Sequence, residues 1–330
     1  MNDSPPSPPA TADPAPTRDP FRRPVRATAD GEARIRPLEL PGEVVEETDA
    51  LRFPLLALAL LSMVLVIMLA REPAVAPLPV GVSAGISDIE RRHLPELVMV
   101  PAGRLPVQAE APAGPELAPF RISRTEVTVE QFRIFVRHTG YTNPAWADFP
   151  CFGSTQNLSW EHPGYEQADT YPVVCVSARD AMAFAAWLSE QTGQALRLPT
   201  ELEWEYAARG GSRSLFWWGE AYDPDYADCG GCGARAPQHP AYVGTRPANA
   251  YGLLDVAGNV REWTCSPFAA IGAAGPVSQC AGGYDEAVNL VVRGGSWQEP
   301  QQALQLGYRG PFGAWHRNVW TGFRVAAAVD

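Results

Sequence analysis

The chain has 330 residues with a formal net charge of −11, and all 26 of its basic residues are arginine. The lack of lysine excludes P-loop nucleotide hydrolases, protein kinases and pyridoxal enzymes, each of which needs a lysine at its reactive centre. The acidic balance argues against nucleic acid as a partner, because phosphate binding calls for a basic excess.

The first segment, residues 1–50, is rich in proline. It holds ten of the 33 prolines, and Phe21 is its single aromatic residue. No apolar period of a helix or a strand runs through it, so it cannot bury enough surface to offset its chain entropy. We predict a disordered segment, either a solvated tail without a specific role or a docking segment for a cytoplasmic partner.

The second segment, residues 51–71, is strongly apolar. Residues 53–70 carry no charge. A helix of that length spans about 27 Å, enough for the hydrocarbon core of a bilayer. A cleaved signal peptide would lie nearer to the N-terminus. The sequence therefore predicts one uncleaved transmembrane signal-anchor helix.

Arginines and cysteines on either side of this helix predict its orientation. Arg34, Arg36 and Arg52 precede it and Arg71 follows it, which places the N-terminus in the cytoplasm. All six cysteines follow it, as expected in an oxidising compartment. We expect a single-pass protein of the inner or plasma membrane. A proline-rich stalk would cover residues 72–94, and a periplasmic or extracellular domain residues 95–330.

Three helices are predicted in the exported domain by their N-terminal caps. Capping boxes open the first and the third, and a serine cap with an aspartate in the first turn opens the second. The cap residues are Thr128, Ser177 and Thr200. Gly140 and Gly193 end the first two helices. After Gly210 the sequence shows few regular elements, with strand patterns at 290–293 and 323–327.

Four motifs follow one another in this domain. They read LRLPTELEWEYAARGG at 196–211, NAYGLLDVAGNVREWT at 249–264, VRGGSW at 292–297 and GFRVA at 322–326. In this order and spacing they resemble the formylglycine-generating enzyme family, also called the sulfatase-modifying factor domain. The resemblance covers about residues 95–328. It implies an α+β, C-type-lectin-like fold with little regular secondary structure.

Other residues occupy the positions that carry the family's oxidase activity. The resemblance implies that active members convert a sulfatase cysteine to formylglycine with two copper-binding cysteines downstream of the GGS motif. Those positions match Glu299 and Leu304, and no cysteine occurs after Cys280. Since thiolates are the copper ligands of that chemistry, we expect neither copper binding nor this oxidase activity. The family's sulfoxide synthases need a histidine triad on an added helical domain, and the sequence has neither.

A calcium site of the family carries over in part. The resemblance places its ligands at the side chains of Asp255 and Glu262 and the carbonyls of Gly258 and Val260. Carboxylates and carbonyls in this pattern suit a hard cation that takes about six to eight oxygens. The alternative is that both carboxylates cap local turns or pair with Arg261. A second, weaker family site would start at Asp228, where a partner carboxylate is not evident.

The family's loop layout also implies two of the disulfides, Cys151 with Cys175 and Cys265 with Cys280. The remaining cysteines, Cys229 and Cys232, form a CxxC with three interpretations. A redox pair would favour a helix N-terminus, whereas glycines make this segment a loop. Zinc would need two more ligands at zinc spacing, which are lacking. A tight structural disulfide is the third, and a cross-pairing with Cys265 also stays open.

The C-terminal segment, which the family uses as a substrate-facing surface, is rich in aromatic and arginine side chains. Such side chains are typical of binding surfaces, although core packing explains Trp297 and Phe323. The residues we expect on a ligand-binding surface are Glu299, Gln302, Tyr308, Arg309, Trp315 and Arg317.

Three functions compete. The preferred one is a membrane-anchored, exported binding or accessory module that holds a protein or a glycan. The alternative is an oxidase or tailoring enzyme of the family that acts on a protein cysteine or a small molecule. A third is signalling, in which the proline-rich tail reports the state of the exported domain. Signalling would need oligomerisation, since one helix transmits little by itself.

Overall fold

A computed structural model describes residues 86–105, 115–153, 155–230, 232, 237–268, 280 and 288–329. The predicted tail, the signal-anchor helix and most of the stalk lie outside these residues. Among the helices that are described, none combines the length and the apolar character needed to cross a membrane. The described residues combine helices with short strands, in agreement with the predicted α+β class.

The three longer helices begin where the capping pattern predicts, and a short helix that the pattern does not predict precedes them. In chain order the helices are α1 (Asp88–Arg91), α2 (Val129–Thr139), α3 (Ala178–Thr192) and α4 (Glu201–Arg209). Thr128, Ser177 and Thr200 each accept the backbone N–H of the residue three positions on, whose side chain accepts the N–H of the cap. A glycine in the left-handed conformation ends each of the three longer helices, at positions 140, 193 and 210.

The strands form two four-stranded sheets and a two-stranded ribbon. Sheet 1 has the order β1 (Leu97–Val100), β4 (Phe120–Ser123), β10 (Ala326–Ala328), β5 (Leu196–Arg197) and is antiparallel throughout. Sheet 2 has the order β8 (Gly310–Gly313), β7 (Asn289–Arg293), β6 (Arg261–Pro267), β9 (Thr321–Phe323). In sheet 2 the β6–β9 pair is parallel and the others are antiparallel. The ribbon pairs β2 (Gly103–Arg104) with β3 (Glu116–Leu117).

The main core lies between α2, α3 and sheet 2. Its aromatic centre comes from Phe132 and Phe135 of α2, Phe184 of α3 and Phe323 of β9, with ring centroids 5.4 to 6.5 Å apart. Spacings of three and four residues place such side chains on one helix face, as the apolar stripes predict. A second core packs Trp204 and other residues of α4 against sheet 1.

The predicted strand over 323–327 is wrong as a single element. Phe323 ends β9 in sheet 2, and Ala326 begins β10 in sheet 1. Between them the fully buried Arg324 donates to both carboxylate oxygens of Glu262, at 2.5 and 2.7 Å, and to three backbone carbonyls. The chain changes sheets at this arginine, and the apolar pattern does not reveal that change.

The domain also begins earlier than predicted. Residues 86–94 were expected in the stalk, yet Ile86 is 5% exposed and belongs to the main core. Glu90 of α1 pairs with Arg137 and His138 of α2. A four-residue helix is too short to give a periodic signal. The prolines around it therefore predict a stalk where the domain already begins.

The disulfides join Cys151 to Cys175, Cys229 to Cys232 and Cys265 to Cys280. The two pairings that the family layout implies are confirmed, and of the interpretations left open for the CxxC the structure shows the tight disulfide. The CxxC closes on itself within a loop rather than pairing with Cys265. Every cysteine of the sequence is used in these bonds.

Arg324→Met should destabilise the chain strongly, because it leaves the carboxylate of Glu262 buried without its guanidinium partner. Loss of one partner of a buried pair costs about 3–5 kcal/mol. The matched control is Arg104→Met, which removes an exposed pair with Glu116 and should cost at most about 1 kcal/mol. Urea unfolding of both variants measures the difference. Equal costs would contradict the importance given to the buried pair.

Candidate ligand-binding site

Glu299 and Leu304, the positions matched to the family's cysteines, follow β7 after a tight turn. Gly294 and Gly295 make this turn with positive φ. A Cβ on Gly295 would lie 2.7 Å from Leu304 Cδ1, so the turn needs glycine there. Leu304 ends a 3₁₀ turn and is fully buried against apolar neighbours that include Cys229. Its side chain is therefore closed to a substrate.

Glu299 is held in a two-pronged ion pair with Arg261 of β6. The hydroxyl of Ser296 donates a further hydrogen bond of 3.1 Å to the same carboxylate. The Arg261 guanidinium also lies 5.0 Å from the ring centroid of Phe312.

An aromatic groove includes this ring. We define it as the cavity of about 390 Å³ lined by residues 148–150, 152, 312, 316–318 and 320. Phe152 is 70% exposed and Phe149 36% exposed. Phe152 meets Trp320 edge to face, with centroids 5.9 Å apart. A cluster of exposed aromatic rings in a concave site is typical of ligand-binding surfaces.

Backbone hydrogen bonds hold the two walls of the groove together. The Phe152 N–H donates to the Arg317 carbonyl at 2.8 Å, and the Val319 N–H donates to the Phe152 carbonyl at 3.1 Å. The Cys175 N–H donates to the Asn318 carbonyl at 2.9 Å, and a disulfide ties Cys175 to Cys151. The groove is therefore built before any ligand binds, which lowers the entropy cost of binding.

Arg317 corrects one of the predicted surface roles. Its guanidinium is buried and donates to the carbonyls of Trp146, Phe149 and Cys175. Burial lowers the pKa of this guanidinium. Arg317 holds the segment that carries Phe149, instead of reaching out towards a ligand.

The other predicted surface residues divide between two places. Trp315 lies beside the groove, stacked on Phe149 with centroids 6.1 Å apart. Gln302 and Tyr308 are exposed but are not among the described residues that line the groove. Arg309 pairs with Glu201 at 2.6 Å. The structure thus brings the aromatic part of the expected surface together and leaves the rest outside the groove.

Residues 148–152 form one wall of the groove, and no pattern in the sequence predicts that they belong to a binding site. Phe149 and Phe152 lie in a segment without helix or strand period, next to the disulfide at Cys151. Aromatic residues in such a segment have no regular element to bury them, which is the one available signal for their exposure. The pairing with residues 316–318 depends on the fold and cannot be read from sequence spacing.

The predicted calcium segment lies in a buried acidic cluster of Glu126, Asp255 and Glu262, with Arg324 among them. Glu262 is committed to Arg324 and to the indole N–H of Trp204, at 2.6 Å. Asp255 accepts the backbone N–H of Gly244, and burial raises its pKa to about 6.

Glu126 carries the remaining charge of this cluster. Its Oε2 has no hydrogen-bond partner within the described part of the chain. Burial and the neighbouring Asp255 raise its pKa well above the usual range. Three carboxylates against one guanidinium leave an excess of negative charge, which bound protons or a cation would balance. The net charge of the cluster therefore suits a bound cation. Among the residues that can be described, no three His, Cys, Asp or Glu side chains form a metal cluster.

The weaker metal prediction at Asp228 stays a prediction, and the carboxylate there is already paired with an arginine. Both carboxylate oxygens of Asp228 accept from the guanidinium of Arg246, which also donates to the Pro224 carbonyl. An internal cation thus supplies the positive charge at this position.

These features define an α+β domain with a rigid aromatic groove and a closed oxidase position. Residues 83–329 match the Sulfatase-modifying factor enzyme 1-like domain, and the chain belongs to this family. The expected resemblance is therefore confirmed.

Relatives of the chain differ in what their names state. Formylglycine-generating enzyme of Thermomonospora curvata is 34% identical over 53% of this chain and 74% of its own length. Inactive C-alpha-formylglycine-generating enzyme 2 of Mus musculus is 32% identical over 53% of this chain and 70% of its own. The solved structure of PvdO from Pseudomonas aeruginosa is 28% identical, with a TM-score of 0.56 over 73% of this chain and 97% of that one. The family thus includes members named as active and as inactive.

Proposed function

We propose that the chain is a membrane-anchored, exported binding or accessory module on a formylglycine-generating-enzyme scaffold, without the oxidase activity. One observation carries this proposal: Glu299 is locked to Arg261 and Leu304 is buried where the oxidases have cysteines. The disulfides leave no free thiol that could bind copper. The relative named as inactive supports a loss of activity on this scaffold.

The aromatic groove is the binding site of this module, and its ligand is a protein or a glycan. Exposed rings on a preformed backbone offer contact area at a low cost in conformational entropy. The domain keeps this surface although the cysteine positions are closed. We also assign the fold to the C-type-lectin-like group within the α+β class.

A second candidate function is an oxidase or tailoring enzyme that acts on a protein cysteine or a small molecule. The relative from Thermomonospora curvata, named as a formylglycine-generating enzyme, favours it. Its chemistry here would need a site other than positions 299 and 304.

Phe152→Ala should abolish capture of the physiological ligand, because it removes a ring that is 70% exposed in the groove. The measurement is pull-down of the detergent-solubilised chain from its own membranes, with mass spectrometry of proteins and glycans. Tyr308→Ala is the matched control, since that ring is exposed outside the groove. Its capture should equal that of the wild type.

The same purified chain, given copper, oxygen and a cysteine peptide, should leave the peptide unoxidised. Oxidation of the cysteine to formylglycine would overturn the binding-module proposal in favour of the enzyme. If Phe152→Ala captured the ligand as well as the wild type does, the groove could not be the binding site of the proposed module.

The anchor at residues 51–71 places the domain outside the cytoplasm in this proposal, and residues 1–50 are left for a cytoplasmic partner. Protease added to spheroplasts, in which the periplasmic side of the membrane is open, should digest the domain and leave residues 1–50 protected. An epitope tag at each end reports the two fates by immunoblot. Digestion of the N-terminal tag from outside would reverse the orientation.

We further propose that calcium is bound by Asp255, by the carbonyls of Gly258 and Val260, and by Glu262. The acidic excess of the cluster supports a cation, and Asp255 supplies the more available carboxylate because Glu262 is shared with Arg324. The metal would be structural, neutralising buried charge. Copper has no place in this proposal.

EDTA should lower the Tm of the wild-type chain and leave that of Asp255→Asn unchanged. At calcium about one hundred times its Kd, binding adds about 2.7 kcal/mol, which is about 5–10 °C for a domain of this size. Asparagine is chosen because Asp255 has a positive φ of 57°, which asparagine tolerates. Asp228→Asn is the control and should keep the EDTA response. A wild-type Tm that EDTA leaves unchanged would contradict the calcium proposal.

A further inference from the structure

One polar group on the aromatic groove lacks a partner. Asn318 lines the groove and is only 1% exposed, and its Nδ2 has no acceptor among the described residues. Its Oδ1 accepts the backbone N–H of Trp320 at 3.1 Å. That bond fixes the amide orientation, so the free group is the N–H₂ donor. A buried donor without an acceptor is costly, and a ligand oxygen would remove the cost.

Among the described residues, a second unpaired donor belongs to Trp315, which lies next to the groove and is not part of its lining. Trp315 stacks on the groove residue Phe149, and its indole Nε1 is also buried without an acceptor in the described part of the chain. The acidic side chain that lines the groove is Asp148, at its exposed rim. The groove thus combines aromatic faces with the buried Asn318 donor and with the Asp148 carboxylate at its rim.

We propose that the aromatic groove binds a saccharide that carries an acetamido group. This inference rests on the proposed function of the groove as a ligand site. The apolar face of a pyranose packs on aromatic rings, whose faces carry partial negative charge and attract its C–H groups. The acetamido carbonyl accepts from Asn318 Nδ2, and a ring hydroxyl donates to Asp148.

An extended peptide fits this arrangement less well. Its backbone presents N–H and carbonyl groups in equal number, and each N–H needs an acceptor when buried. Among the described residues that line the groove, the unpaired buried group is a donor, Asn318 Nδ2. An N-acetyl sugar carries one N–H per ring beside several hydroxyl, ring and carbonyl oxygens. It therefore matches that bias better, because each of these oxygens can accept from a fixed N–H.

The test is isothermal titration calorimetry of the full chain in detergent with two β-1,4-linked tetrasaccharides. One is built from N-acetylglucosamine and the other from glucose, so they differ by the acetamido group. We expect the acetamido sugar to bind about tenfold more tightly, the scale of one well-placed hydrogen bond. Phe152→Ala should weaken binding of the acetamido sugar about tenfold or more, and Tyr308→Ala should leave it unchanged.

Asn318→Asp keeps the acceptor for Trp320 and replaces the donor, so it should remove the preference for the acetamido sugar. If this variant misfolds, the preference of the wild type decides alone. Equal affinity for both sugars, or binding of neither, overturns the inference. Phe152-dependent capture of a protein in the pull-down would then leave the binding module standing with a peptide ligand. If the preference for the acetamido sugar and the Phe152-dependent capture were both absent, the proposed function would be overturned as well.

Discussion

The buried guanidinium of Arg324 is the constraint on which the rest of the domain depends. It joins Glu262 on sheet 2 to the carbonyls of Ser123 and Arg124 at the end of β4 on sheet 1. Helix α4 enters the same network, since the indole of Trp204 donates to Glu262. A buried ion pair is tolerated only when its donors and acceptors are used, and here they are. The sheets and α4 are therefore fixed relative to one another.

Strand β6 connects the groove to this core. Successive residues of a strand point to opposite faces, so Glu262 enters the core and the preceding Arg261 faces the other way. Arg261 there binds Glu299 and covers the ring of Phe312. Two adjacent residues of β6 thus contact different partners, Arg324 in the buried ion pair and Phe312 at the groove. A shift of this strand by one residue would exchange their environments and disrupt both.

Local signals in the sequence predict the local parts of this structure and miss the long-range ones. The caps at Thr128, Ser177 and Thr200 depend on contacts across three residues, and all are where the pattern places them. The four motifs predict the family and the expected disulfides. The split of 323–327 between two sheets, and the meeting of Phe152 with Asn318, depend on residues far apart in the chain. Neither apolar periodicity nor motif spacing contains that information.

The Glu299–Arg261 pair meets the groove at the ring of Phe312, whereas the contacts that join the walls of the groove are physically separate from residues 299 and 304. The groove walls are held by hydrogen bonds between 152 and 317–319, and by the disulfide from Cys151 to Cys175. None of these contacts involves residue 299 or residue 304. A glutamate at 299 gains a partner in Arg261, and a leucine at 304 fills a core that a cysteine would fill less completely. Glu299 and Leu304 therefore stabilise their surroundings without taking part in the contacts that hold the walls of the groove.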